Sequence, residues 1–564
     1  MLDGATPDPQ PRPSPERLAL AALWALILAP VVAHGLWRPL IVGLGSSGES
    51  GWITIAALVV AAAAVGGRWL GPARAWLRWV IPGAAAILAA PIVGQTGPGI
   101  AAAALTLLAV AGFSTATLPL MIARTPPLLD GLARRKRGAT ALVALLGILA
   151  VVQTARVSTF IGDPDRVDGS AVPLVERYDY HACVTAYVQA AKLADARVDN
   201  LYEADWWPSI GHSATGEAQA EAYAPFDLDA FAYPPQFLLV PRVVIALSDE
   251  FSVQRALWFG AGGLWLAFGL WFVAGWIGET DARAGIRALM LGPLIWIAPP
   301  VMVTLQLGNV HMAVVVAAVV GMIAFERERP ALGGALLAFA ILAKISPGLL
   351  GIVLLAQRRW REALWTAGFG LGWTLLALLV FGPAPFEAFV TYELPRLSSG
   401  EALEFFTSVP EEVASNLAPF GVPFKLEALG LTIDDAWASA AMVGSVFSLA
   451  VVGLSIGAGL RGGDRRVQVG LWLAVLTLGG LRSPFAPPYA GFAALWLLSL
   501  WAAEVRGLRS LVLIVAGFVL LLGLPPMPMV AMLSVSLVQQ LALLGLVVWF
   551  IVRPHGGVLR DPDR

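Results

Sequence analysis

The run RYDYHACVTAYVQAAK at residues 177–192 sets Asp179 between Tyr178 and Tyr180, with His181 close behind. At the head of a helix-like stretch near a membrane interface, a partly desolvated carboxylate is suited to take a proton from an attacking hydroxyl. That role typically contributes ~10²- to 10⁴-fold to a rate. The same aspartate also fits a plain helix N-cap, its side chain accepting a backbone N–H. The local pattern leaves both readings open.

A second acidic group, IGDPDRVDGS at 161–170, carries Asp163, Asp165 and Asp168. A calcium loop needs ligands at its first, third and fifth positions and a glutamate at the twelfth, but the twelfth residue counted from Asp163 is Leu174. We therefore expect a solvated turn, no metal site and no cofactor, with Asp168 the second candidate for the base. GLGSSG at 43–48 has the letters of a dinucleotide loop, but no strand precedes it and it falls between apolar segments.

The elements that must position these residues are membrane helices. The chain has 564 residues, 58% of them hydrophobic and only 13% charged, and a mean hydropathy of +0.75. Its repeated apolar runs approach the ~20 residues that cross a ~30 Å hydrocarbon core. Backbone groups in lipid have to be satisfied within each segment, so the expected fold is an all-α integral membrane bundle. A net charge of −1 gives no pull toward nucleic acid, and a single cysteine, Cys183, excludes an internal disulfide.

We count about sixteen apolar segments, and the Lys/Arg clusters set their orientation. Arg134 to Arg137, Arg327 with Arg329, QRRWRE and RGGDRR mark cytoplasmic turns. Alternation then puts loops 156–252, 382–435 and 481–489 outside. YPPQFLLVPRVVIAL at 233–247 is short and broken by Pro241 and Arg242, so it reads as an interfacial helix. Runs 331–343 and 347–357 form a short pair meeting at Lys344. We divide the chain into a tail at 1–16, a four-helix extension at 17–138 and a core at 139–564. The tail is proline-rich with no apolar period, and we expect it to be disordered and cytoplasmic.

Several stretches together are similar to glycosyltransferase family 87, the polyprenyl-phosphate-dependent membrane glycosyltransferases. They are the outer loop with its aspartate and tyrosines, AYVQAAK followed by NLY, and YPP at 233–235. QLGNVH at 306–311, ALGGALLAFAILAKISP and RSPFAPPY extend the likeness, which covers about 139–500. Two departures stand out: Asp179 lies eight residues before Tyr187, and Pro488 stands where the family often has a histidine. The resemblance implies a GT-C-type bundle in the cell membrane, a polyprenyl-phosphate sugar as donor and a base from the first large outer loop. Asp179 is the matching position.

On that reading Lys344 is the candidate for the donor phosphate, because an ammonium at the end of apolar helices is costly unless it meets an anion or carbonyls. Snorkelling to the interface is its ordinary alternative. Arg482 offers a second positive group, or is an interfacial arginine. Gln306, Asn309 and His311 are expected to begin one outer helix and to orient sugar or phosphate, unless they only join helices. Tyr178, Tyr233, Trp206 and Trp207 could stack on sugars or form an aromatic belt. His181 and Tyr489 complete the substrate-binding set. The expected partners are the prenyl-phosphate sugar, a glycolipid, glycan or protein acceptor, and membrane lipids. The expected product is a sugar, mannose or a pentose, moved with inversion to an acceptor hydroxyl. A lipid or sugar transporter is the rival, disfavoured by the lack of an internal repeat. A noncatalytic envelope-assembly protein is the other.

Overall fold

A computed structural model of the chain describes residues 14–43, 49–69, 76–93, 97–124, 137–171, 183–211, 213–403, 407, 409–502, 517 and 527–553. Among these the protein is helical, with no strand. Eight helices are long and apolar enough to cross a bilayer, a bent pair makes a ninth, and six further apolar helices are shorter. The all-α polytopic membrane class follows.

Helix α1 (Pro15–Val32) starts where its composition says it should: the Ser14 side chain accepts the Arg17 N–H and Pro15 takes the first position. It continues through a π-turn to Gly43. Helices α2 (Ser50–Trp69), α3 (Leu77–Val93) and α4 (Gly97–Arg124) pack on one another through small residues such as Ala57, Ala86 and Ala103. Small side chains permit the close backbone approach that helix association in lipid relies on.

Helix α1 belongs to the main core as well. Trp24 meets Trp271 and Trp296 edge-on at 6.1 and 5.8 Å. A Cβ on Gly35 would lie 2.2 Å from the Gly260 Cα, so this crossing exists only because both residues lack side chains. The partners are α5 (Arg137–Gly162), which leads into the first loop, and α8 (Phe251–Gly278), which leaves it. Within that loop lie α6 (Cys183–Asp195) and α7 (Leu239–Leu247), joined by the Arg242–Asp195 ion pair at 2.8 Å.

Next come α9 (Ala282–Ile297) and α10 (Pro299–Leu307), bent by 59° at a break that Pro299 and Pro300 enforce. Helix α11 (His311–Glu326) is apolar and buried all round, as a central helix must be. Helices α12 (Pro330–Ala343) and α13 (Leu349–Ala356) flank the Lys344 break. Helix α14 (Trp360–Phe381) turns Leu364, Leu371 and Leu379 outward, the apolar surface that a lipid-facing helix presents.

The second long loop carries α15 (Pro410–Ser415) and α16 (Val422–Ala428). It is followed by α17 (Ala436–Gly459), α18 (Arg465–Leu481), α19 (Phe492–Ala502) and α20 (Met529–Val552). Glu279 pairs with both Arg327 and Arg465, and Arg359 with Glu326. These pairs gather the ends that charge counting assigns to the cytoplasm.

Candidate functional site

The site grows from the break between α10 and α11. Gly308 adopts φ +72°, a left-handed conformation that glycine takes freely, and its carbonyl accepts the Trp258 indole N–H. The expectation that Gln306, Asn309 and His311 begin one helix is therefore corrected. Gln306 closes α10, Asn309 sits in the break, and only His311 starts α11. The glycine cap ends one helix before the next begins, and sequence periodicity does not register such a gap.

Each of the three has a different task. Buried Gln306 holds the end of the first loop: its Nε2 donates to Ser170 Oγ at 3.0 Å and its Oε1 accepts the Ala171 N–H. Asn309 Oδ1 accepts the His311 N–H at 2.9 Å, which orients the amide so that Nδ2 faces Cys183 Sγ at 3.4 Å and Tyr233 Oη at 3.3 Å. His311 is buried against the Ala490 backbone, and among the described residues neither ring nitrogen makes a hydrogen bond of good geometry.

Around Asn309 stands an aromatic wall. Tyr187 is one turn on from Cys183 along α6, so both face the break. The Tyr187 and Tyr233 hydroxyls are 3.1 Å apart, and the Val310 N–H donates to Tyr187 Oη at 3.2 Å. Tyr202 donates to the Tyr233 carbonyl at 2.9 Å, and Phe237 packs edge-on against Tyr187.

Lys344 faces this wall. The helix ends at Ala343 and leaves Lys344 extended, its ammonium 6.0 Å from the Tyr233 ring centroid and 5.6 Å from that of Tyr489. Among the described residues no hydrogen bond or ion pair engages this ammonium. Tyr489 in turn lies 6.2 Å from His311. Ala343, the neighbour of Lys344 in the chain, is one wall of a small apolar recess lined also by Gln236, Phe237, Val240, Phe339, Leu342 and Trp373.

The turn that carries Tyr489 is held from the second loop. Buried Asn416 donates to the Pro484 carbonyl at 2.9 Å and accepts the Ala486 N–H at 3.0 Å. Lys425, fully buried, donates to the Asn416 carbonyl and to Ser536 Oγ. Burial pushes its amine down to about 7. A neutral amine has two N–H groups, which matches those two acceptors.

Other candidates fall elsewhere. Arg482 is exposed and donates to Ser448 Oγ at 3.1 Å, which turns it toward α17. Trp207 is buried, its indole N–H bonded to the Leu201 carbonyl, and the neighbouring Trp206 N–H reaches the Asn200 carbonyl. Trp207 is thus a core residue of the loop, where stacking and belt roles were expected. Asp168 is exposed in a 3-10 turn, and Asp163 pairs with Arg166 at 3.5 Å. Tyr178, Asp179 and His181 lie outside the described residues.

Tyr187, Cys183, Asn416 and Lys425 were not singled out as site residues from sequence. The four-residue spacing of Cys183 and Tyr187 was a usable signal. Asn416 and Lys425 gave none, because the partners that tie them to the late turn and to the last helix, Pro484, Ala486 and Ser536, are 68 to 111 residues distant.

Residues 231–484 match the model of glycosyltransferase family 87, a segment that contains Tyr233, Gln306, Asn309, His311, Lys344 and Arg482. Asp179 precedes that segment and Tyr489 follows it. No curated protein and no solved structure matches the chain.

Proposed function

We propose that this membrane glycosyltransferase, whose residues 231–484 form a glycosyltransferase family 87 region, moves a sugar from a polyprenyl phosphate to an acceptor hydroxyl on a glycolipid, glycan or protein. The observation that carries the reading is Lys344: an ammonium with no counter-charge among the described residues, set close to two aromatic rings and one residue beyond the Ala343 wall of a small apolar recess. A cation in such a place is costly unless an anion arrives, and a prenyl phosphate brings an anion and an apolar chain together.

In this mechanism the acceptor hydroxyl attacks the anomeric carbon opposite the phosphate, so the configuration inverts. Asp179 takes the hydroxyl proton, and Lys344 meets the charge that develops on the departing phosphate. Asp179 is four residues before Cys183, a separation of at most ~14 Å along the chain. A phosphate leaves without being protonated, so one carboxylate suffices where glycoside hydrolases use two. Mannose or a pentose is the sugar of choice, with the reaction on the outer side of the cell membrane and in a GT-C-type bundle.

The test is transfer by the purified protein in detergent or nanodiscs, using radiolabelled prenyl-phosphate mannose and prenyl-phosphate pentose with a lipid-extract acceptor. A labelled product and released prenyl phosphate are expected. If the protein is active with a nucleotide-sugar and inert with every prenyl-phosphate donor, the reading fails.

A further inference from the structure

Among the described residues the hydrogen bonds beside Lys344 leave one phenolic hydrogen without an acceptor, and its location can be worked out. Because Asn309 Oδ1 accepts the His311 N–H, the amide's Nδ2 must be what donates to Tyr233 Oη. The Val310 N–H likewise donates to Tyr187 Oη. The two hydroxyls share a single contact at 3.1 Å. Two phenolic hydrogens and one link leave one hydrogen over.

Were the spare hydrogen on Tyr187, it would be sealed in a ring environment with 0% exposure, at a cost of ~1–3 kcal/mol. On Tyr233, half-buried and beside Lys344, it stays available to a ligand. Tyr187 therefore donates to Tyr233. Tyr233 accepts from Tyr187 and Asn309 and keeps its own O–H free to donate.

We infer that the Tyr233 phenol is an oriented hydrogen-bond donor to the departing phosphate oxygen, a catalytic role distinct from stacking on the sugar. It rests on the functional reading above. As the bond between the anomeric carbon and the phosphate oxygen breaks, its electron pair passes to that oxygen. The Tyr233 hydrogen bond strengthens there while the Lys344 ammonium meets the charge. No proton changes owner at Tyr233: burial, with Cys183 adding to it, pushes the phenol pKa above its ordinary value and keeps the group protonated.

Tyr233→Phe keeps the ring and its packing against Phe237 while removing the donor. The expected result with a prenyl-phosphate sugar is a fall in kcat of ~10²-fold, the loss typical of one oxyanion donor, with donor KM changed only a few-fold. Full activity in Tyr233→Phe overturns the inference, since stacking alone survives that change. Should Tyr233→Phe lower the thermal midpoint, a ring-fluorinated tyrosine at 233 keeps the size and makes the phenol more acidic. The alkaline limb of the pH–rate profile should then move to lower pH, and an unmoved limb overturns the role. Wild-type protein that transfers nothing from prenyl-phosphate donors removes the functional reading and this inference together. An active wild type with an equally active Tyr233→Phe removes this inference alone.

Discussion

The Lys344 ammonium lies 5.6 Å from the ring centroid of Tyr489, so a break in the middle of the chain meets a turn about 145 residues later in one pocket. Two helix ends and one loop supply the contact, and none of them forms the site alone.

Lys344→Gln should therefore act on catalysis and spare the fold. A cation that stabilises a departing phosphate is worth ~10²- to 10³-fold in kcat, whereas a snorkelling lysine is worth almost nothing to turnover. Steady-state transfer assays and thermal midpoints of the two proteins separate the roles. Unchanged kcat would leave Lys344 as an interfacial lysine.

Asp179→Asn should lower kcat by ~10²- to 10⁴-fold without reducing binding of the prenyl-phosphate donor. Asp168→Asn should remain near wild type, because Asp168 is exposed in its turn. If the two variants behave the other way round, the base is Asp168.

Asn416→Ala strips the late turn of its anchor, leaving the Ala486 N–H, the Ala418 N–H and the Pro484 carbonyl without that partner. Each such group costs ~1–3 kcal/mol when left unsatisfied, so a marked fall in thermal midpoint is expected. Donor KM should rise with it, since Tyr489 is three residues beyond Ala486. A variant as stable and as active as the parent would show that other contacts set the turn.

Two buried titratable groups in the second long loop should shape stability against pH. Glu393 is raised from 4.5 to about 7 by burial, with Arg396 opposing and Glu401 adding. The folded state holds that proton more tightly than the unfolded state. Its contribution is thus complete below about 4.5 and is lost as pH rises through about 7. Lys425 is lowered from 10.5 to about 7, so the folded state releases its proton first and stability rises from about 7 toward 10.5. Thermal midpoints across pH should show both limbs. Glu393→Gln should flatten the acidic one and Lys425→Met the alkaline one.

The local pattern of residues settled the class and the break at Lys344. Long apolar runs dictate helices because lipid offers the backbone no other partner, and the break expected at Lys344 falls where a helix does end. The acidic, aromatic character of the first loop and the YPP, QLGNVH and AKISP stretches were likewise legible, since each is a run of neighbours in the chain. The tertiary structure decided which polar groups meet. Tyr187 reaches Val310 across 123 residues, Tyr233 reaches Asn309 across 76, and Asn416 reaches Ala486 across 70. It also gave Gln306 to the loop, Trp207 to the core and Arg482 to Ser448. The physical reason is that helix formation is set by residues within a few positions, whereas a buried hydrogen bond depends on which distant donor the packed helices bring within about 3 Å.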